Sequence, residues 1–199
     1  MSLPEVDELR ESVEALLRLD AGGLGDAELH AAVVEVAGLR SRLEAAEANL
    51  IAAWDNRRVW AADGSRSAAA ALARATGSSR ADANRRCRRA RRLHTMPATA
   101  EAFTDGSINA ERVDVLCRAN RAEVTDQFTD AEAMLVDHAR TLDFDDLTRA
   151  VEYWSGLADD ARTADRAQRR HEQRHAHVDI TLDGTYALRA LLEGIGGEV

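Results

Sequence analysis

Apolar residues recur every three to four positions along most of this chain, the period of a helix packed on one face, and a period of two appears only near its end. Ser2 and Glu5 have capping-box spacing with Pro4 in the first turn, which predicts a helix to about Asp20. Ala21-Gly-Gly-Leu-Gly25 breaks it. Asp26 then caps a long helix with Leu29, Val33, Val36, Leu43, Leu50 and Trp54 near helical spacing, ending near Asp63-Gly64. The apolar phase drifts from a strict heptad, which favours the spine of a bundle over half of a coiled-coil dimer. From Ser67 a small-residue helix runs to a stop at Gly77, and a second helix starts at Ser78 or Ser79 and continues to Leu93. That is the outline of a helix-turn-helix, with Arg86 standing where an apolar residue would close its core.

Met96-Pro97 opens a short helix over Ala98 to Thr104, stopped by Asp105-Gly106. Ser107 to Arg121 reads as a helix with Ile108, Val113 and Leu116 inward. Thr129 is expected to cap another, with Ala133, Met134, Val136 and Ala139 apolar. Asp143 caps a last long helix, with Leu147, Val151, Trp154 and Leu157 inward, running to about His171. Then His177-Val-Asp-Ile-Thr-Leu182 alternates as a strand does, and Asp183-Gly184 is a hairpin-turn dipeptide. Tyr186, Leu188, Ala190 and Leu192 can alternate on the return strand; a short helix from Thr185 to Glu193 is the alternative. The expected fold is mainly α, a multi-helix bundle with a helix-turn-helix-like segment and a small C-terminal β-hairpin. Residues 1–176 are expected to form the helical domain. Residues 177–199 are expected to begin a hairpin, or a truncated element leading to a C-terminal domain outside this sequence.

Composition agrees with helices: two prolines and 12 glycines in 199 residues, with few aromatics. The two cysteines, Cys87 and Cys117, form no framework, which predicts reduced thiols and a cytoplasmic location. The acidic N-terminus lacks the apolar run of a secretory signal, and no apolar stretch has the length of a membrane span, so no membrane partner is expected. Charge changes the picture more. The net charge is −9, yet the 36 residues from Arg57 to Arg92 hold eleven arginines against Asp63 and Asp82. A cationic segment in an acidic chain points to a polyanion. All 26 basic residues are arginine, whose planar fork suits phosphate and guanine. The stretch Glu123–Asp165, with twelve acidic residues and three arginines, reads as a solvated helix face.

At 100° per residue, Arg85, Arg88, Arg89 and Arg92 share a stripe, and Ala83, Cys87, Ala90 and His94 lie opposite. With Ser78, Ser79 and Arg80 at the helix start, these arginines are the candidate nucleic-acid contacts. The competing reading docks the same stripe onto the acidic helices of this chain as ion pairs. His171-Glu-Gln-Arg-His175 matches the zinc motif H-E-x-x-H, which needs both imidazoles on one helix face. It sits in a charged run with no apolar cover and no third ligand at metalloprotease spacing, so His171, His175 and His177 are weak metal candidates against a solvated helix end. No catalytic residue and no cofactor is expected in this chain.

The ordered set Trp54-Asp-Asn-Arg-Arg58, Asp63-Gly64, Leu72-Ala73, Gly77-Ser78, Ala90-Arg91-Arg92-Leu93, Met96-Pro97 with Ala102-Phe103, Gly106-Ser-Ile108, Arg169-Arg170 and Asp183-Gly184 resembles an actinobacterial family. This is the 13E12 repeat family, or domain of unknown function 222, and the resemblance covers roughly Leu29 to Val199. It implies the N-terminal helical region of an HNH-endonuclease-like protein, whose catalytic domain, with its histidine base and divalent metal, lies outside these residues. DNA is the partner so implied. The alternative is an assembly module that forms a homodimer and leaves DNA binding and cleavage to the absent domain.

Overall fold

The computed structural model describes residues 3–172 and the strand segments 175–180 and 186–191. Helix α1 spans Pro4–Leu17, with Pro4 in its first turn and its cap position at Leu3, one residue beyond the expected Ser2. It ends before Asp20, whose carboxylate instead accepts from the Gly22 N–H (3.1 Å) and caps a short 3-10 turn, Ala21–Gly23. Helix α2 spans Asp26–Asn56, and Glu28 reaches back to the Gly25 N–H at its start (3.1 Å). It stops well short of Asp63. Arg58 adopts a left-handed backbone (φ 51°), and the Trp60 indole donates to Asp55 (2.9 Å), folding the next 3-10 turn, Val59–Asp63, back on the helix end.

Helix α3 spans Ala68–Thr76 and is capped by Ser67. Helix α4 spans Arg80–Arg92. Helix α5 (Pro97–Asp105) ends at Gly106, and α6 (Ala110–Ala119) is capped by Asn109, later than the expected Ser107 because the loop first buries Ile108. Helix α7 (Thr125–Thr141) starts a turn before the expected cap Thr129. The Thr129 hydroxyl instead bonds back to the Thr125 carbonyl (2.9 Å), as threonines inside helices do. Helix α8 runs from Phe144 to Glu172. Strands β1 (His175–Ile180) and β2 (Tyr186–Leu191) pair antiparallel, His175 opposite Leu191 and Ile180 opposite Tyr186. The strand begins two residues before the expected His177, and the return segment is a strand rather than a helix.

The core gathers Met96, Phe103, Ile108, Val113, Leu116, Phe128, Leu135 and Leu147 between α5, α6, α7 and α8. Phe128 and Trp154 meet edge to face at 5.8 Å. The start of α5 lacks a cap of its own; buried Glu132 of α7 supplies one, accepting from the Thr99 N–H and hydroxyl (both 2.8 Å). So one member of the acidic stretch is a core cap and not a solvated residue.

Several inward assignments are corrected. Ala133 and Met134 of α7 are exposed and Leu135 is buried in their stead; Leu157 is exposed while Ala158 is buried. The largest correction is α2. Its buried residues are Ser41, Ala45, Ala48, Ile51 and Ala52, and of the bulky series Trp54 alone packs against the core, half-buried, while Leu29, Val33, Val36, Leu43 and Leu50 are turned out, 40–64% exposed. Small side chains let α4 and α5 pack closely on this half of α2. No residue of α2 before Ser41 and no residue of α1 is buried.

Candidate nucleic-acid interface

Helix α4 is placed by its two ends and its small-residue face. Gly77 takes the left-handed conformation (φ 68°) that ends α3 and turns the chain. Ser79 is the cap, its hydroxyl accepting from the Asp82 N–H (3.1 Å). Ser78 sits in the turn, where its hydroxyl accepts from Thr76 (2.9 Å). Ala83, Cys87 and Ala90 are buried against the neighbouring helices as the pattern predicts. His94 is not on that face: α4 ends at Arg92, and His94 lies exposed in the 3-10 turn Leu93–Thr95.

The seven arginines of α4 divide into two groups. Four fasten the helix to its neighbours. Arg89 is buried and gives two parallel bonds to Asp114 of α6, Nε to Oδ1 (2.9 Å) and Nη2 to Oδ2 (2.7 Å), with its guanidinium 5.8 Å from the Phe103 ring centre. Arg85 lies beside the same carboxylate (3.5 Å) and bonds Asp82 at 2.5 Å. Arg86 is half-buried against Glu47 of α2, an ion pair where an apolar residue was expected. Arg91 reaches Asp55 of α2 (2.6 Å). Burial works against the Arg89 charge, but the hydrogen bonds and charge of Asp114 outweigh it and hold the guanidinium above its ordinary value. The Asp55 hydrogen bond does the same for Arg91. The predicted stripe is thus not one surface. Its edge residue Arg89 falls where α6 lies along the flank of α4, and Arg85 is drawn toward the same acid.

The second group is Arg80, Arg88 and Arg92. None of these has an ion-pair partner among the described residues, and Arg80 and Arg88 are fully on the exposed side, with Arg92 partly covered. With exposed Asn84 they form a row at i, i+4, i+8 and i+12. The sequence reading missed Asn84, although its spacing from Arg80 and Arg88 was there to be read. It also missed Asp114, for which local sequence carries no signal at a separation of 25 residues.

Beside α4 a cleft of about 790 Å³ opens toward α2 and α6. Its five arginines, Arg40, Arg85, Arg86, Arg89 and Arg118, stand against five carboxylates, Glu44, Glu47, Asp82, Glu111 and Asp114, so the cleft does not repeat the cationic character of the outward row. Cys87 is raised by burial, and Cys117 is pushed up to about 12 by burial and then by Asp114; these thiols are protonated near neutral pH. The H-E-x-x-H segment does not occupy one helix: α8 ends at Glu172, and His175 begins β1. The side chains of His175 and His177 lie outside the described residues. Among the described residues no group of three or more histidines, cysteines or carboxylates could hold a metal. Nor is any described helix long and apolar enough to cross a membrane.

The molecule is therefore a helical bundle that presents a helix-turn-helix-like pair with a cationic outer row. The family model for the domain of unknown function 222 matches residues 30–193, and the chain belongs to that family. No curated protein matches the chain, and no solved structure matches it.

Proposed function

We propose that this chain is a non-catalytic helical region that engages DNA through the outward row of α4, working beside an HNH-type catalytic domain of the same protein. One observation carries the reading. Four of the seven α4 arginines are used to hold the fold, and Arg80, Arg88 and Arg92 are left facing outward without carboxylate partners among the described residues. Unneutralised arginines one turn apart repel each other, a cost that phosphates would relieve. Duplex DNA fits better than duplex RNA, because the major groove of B-form DNA admits an α-helix and that of A-form RNA does not. The net charge of −9 opposes binding elsewhere on the molecule, so the contact is expected at low salt.

The test is affinity for duplex DNA against salt concentration. Each arginine–phosphate contact releases condensed counterions, so Arg88→Ala is expected to flatten the log–log slope by about 1. Arg88→Glu combined with Arg92→Glu is expected to abolish binding with helicity intact. Absence of binding at low salt by the unaltered chain overturns the reading.

A second reading, assembly of a homodimer, is favoured by a separate observation. The bulky face of α2 from Leu29 to Leu50 and the apolar side chains Val6, Leu9, Val13 and Leu16 of α1 are 40–64% exposed. An apolar face of this extent is what an interaction surface offers. A monomer in sedimentation at micromolar concentration removes this reading and leaves the first untouched.

A further inference from the structure

We infer that Asn84 reads an adenine edge in the major groove, an inference that rests on the DNA contact proposed above. Asn84 lies in the outward row of α4, one turn from Arg80 and one turn from Arg88. It is exposed, and no described residue accepts or donates a hydrogen bond to its amide. Asparagine is a poor choice for an exposed helix interior, since its amide competes with the backbone and its propensity is below that of the arginines around it. Among the described residues no capping, packing or hydrogen-bond role accounts for it.

The chemistry of the amide accounts for it well. Its carbonyl accepts and its NH₂ donates in one plane, the arrangement that matches N6–H and N7 of adenine at the major-groove edge. Side-chain length sorts the roles along the row. Arginines at 80, 88 and 92 are long enough to reach outward to phosphates on the groove walls. The short amide of Asn84 reaches only what lies beneath the helix, the base edges. Ala81, exposed one turn before Asn84 on the same side, adds no bulk to hold the backbone away. Asp82, the one carboxylate on this helix, is turned aside to Arg85 and Arg86 and does not occupy the row.

The experiment selects bound duplexes from a randomised-sequence DNA pool at low salt, using the whole chain and its Asn84→Ala and Asn84→Gln variants. The unaltered chain is expected to enrich adenine at one position. Asn84→Ala is expected to lose that preference, on the order of tenfold in discrimination, while keeping the same salt slope. Asn84→Gln, which retains the paired donor and acceptor, is expected to keep it. Circular dichroism on each variant separates loss of reading from loss of fold. Enrichment of the same sequence by the unaltered chain and Asn84→Ala, or enrichment of none by either, overturns this inference and leaves DNA binding through the arginines standing. Failure of the unaltered chain to retain any duplex overturns both. Equal retention of duplex RNA overturns the groove assignment.

Discussion

Asp114 shows how far the role of one α4 arginine differs from that of the next. Its carboxylate is buried and holds Arg89 by two bonds, with Arg85 alongside. Removing it strands a buried guanidinium, so Asp114→Ala is expected to destabilise the chain by about 3–5 kcal/mol in denaturant unfolding. Arg88→Ala, at an exposed position with no ion-pair partner among the described residues, is expected to stay within about 0.5 kcal/mol of the unaltered chain. Equal effects would mean that the division into fastening and outward arginines is wrong. Cys117 adds a pH dependence. Its thiol titrates at about 12 in the fold against 9.0 for an ordinary thiol, chiefly through burial. Between those values the unfolded chain binds fewer protons than the folded one, so stability present below pH 9.0 falls as pH rises toward about 12. Thermal melting across this window is expected to show the fall, and Cys117→Ala to reduce its slope.

Among the elements, the α3–turn–α4 unit depends on one backbone conformation. Gly77 has φ 68°, and no atom beyond Gly77 and its two chain neighbours lies within 4 Å of where a Cβ would stand. The cost of Gly77→Ala is then conformational alone, expected at about 1–2 kcal/mol. Gly77→Asn is expected to recover part of it, because asparagine tolerates the left-handed region. Gly106, which ends α5, has φ 85° and would also bring a Cβ to 3.0 Å from Cγ of Arg42. Gly106→Ala is therefore expected to lower the melting temperature more than Gly77→Ala. The reverse order would show that crowding at Arg42 is relieved without cost.

The whole molecule is uneven in how it is held. Residues from Ser41 to Ala158 supply the buried core, while α1 and the first turns of α2 bury nothing. Deleting residues 1–24 is accordingly expected to leave the melting temperature of the bundle unchanged in a monomer. If the chain assembles through its exposed apolar faces, the same deletion lowers both the melting temperature and the mass in sedimentation, since a partner bound only by the folded state stabilises it. One deletion thus separates a helix that is merely carried from one that joins two copies.

What the sequence determined by itself was local. Ser67, Ser79, Gly77 and Gly106 signal starts and stops through their own hydroxyls and their own backbone freedom, and the elements they bound stand where the pattern put them. The mainly helical class follows from the same periodicity. What the tertiary structure decided was which face of each helix is covered. The apolar series of α2 has helical spacing, but the face covered by the neighbouring helices carries Ala45, Ala48 and Ala52 with Ile51, not the leucines and valines of that series, because close packing there favours small side chains. The arginines of α4 are alike in sequence, and a helical wheel cannot tell Arg88 from Arg89. Only the placement of Glu47, Asp55 and Asp114, carried by helices distant along the chain, withdraws four of them into the fold and leaves Arg80, Arg88 and Arg92 for the surface.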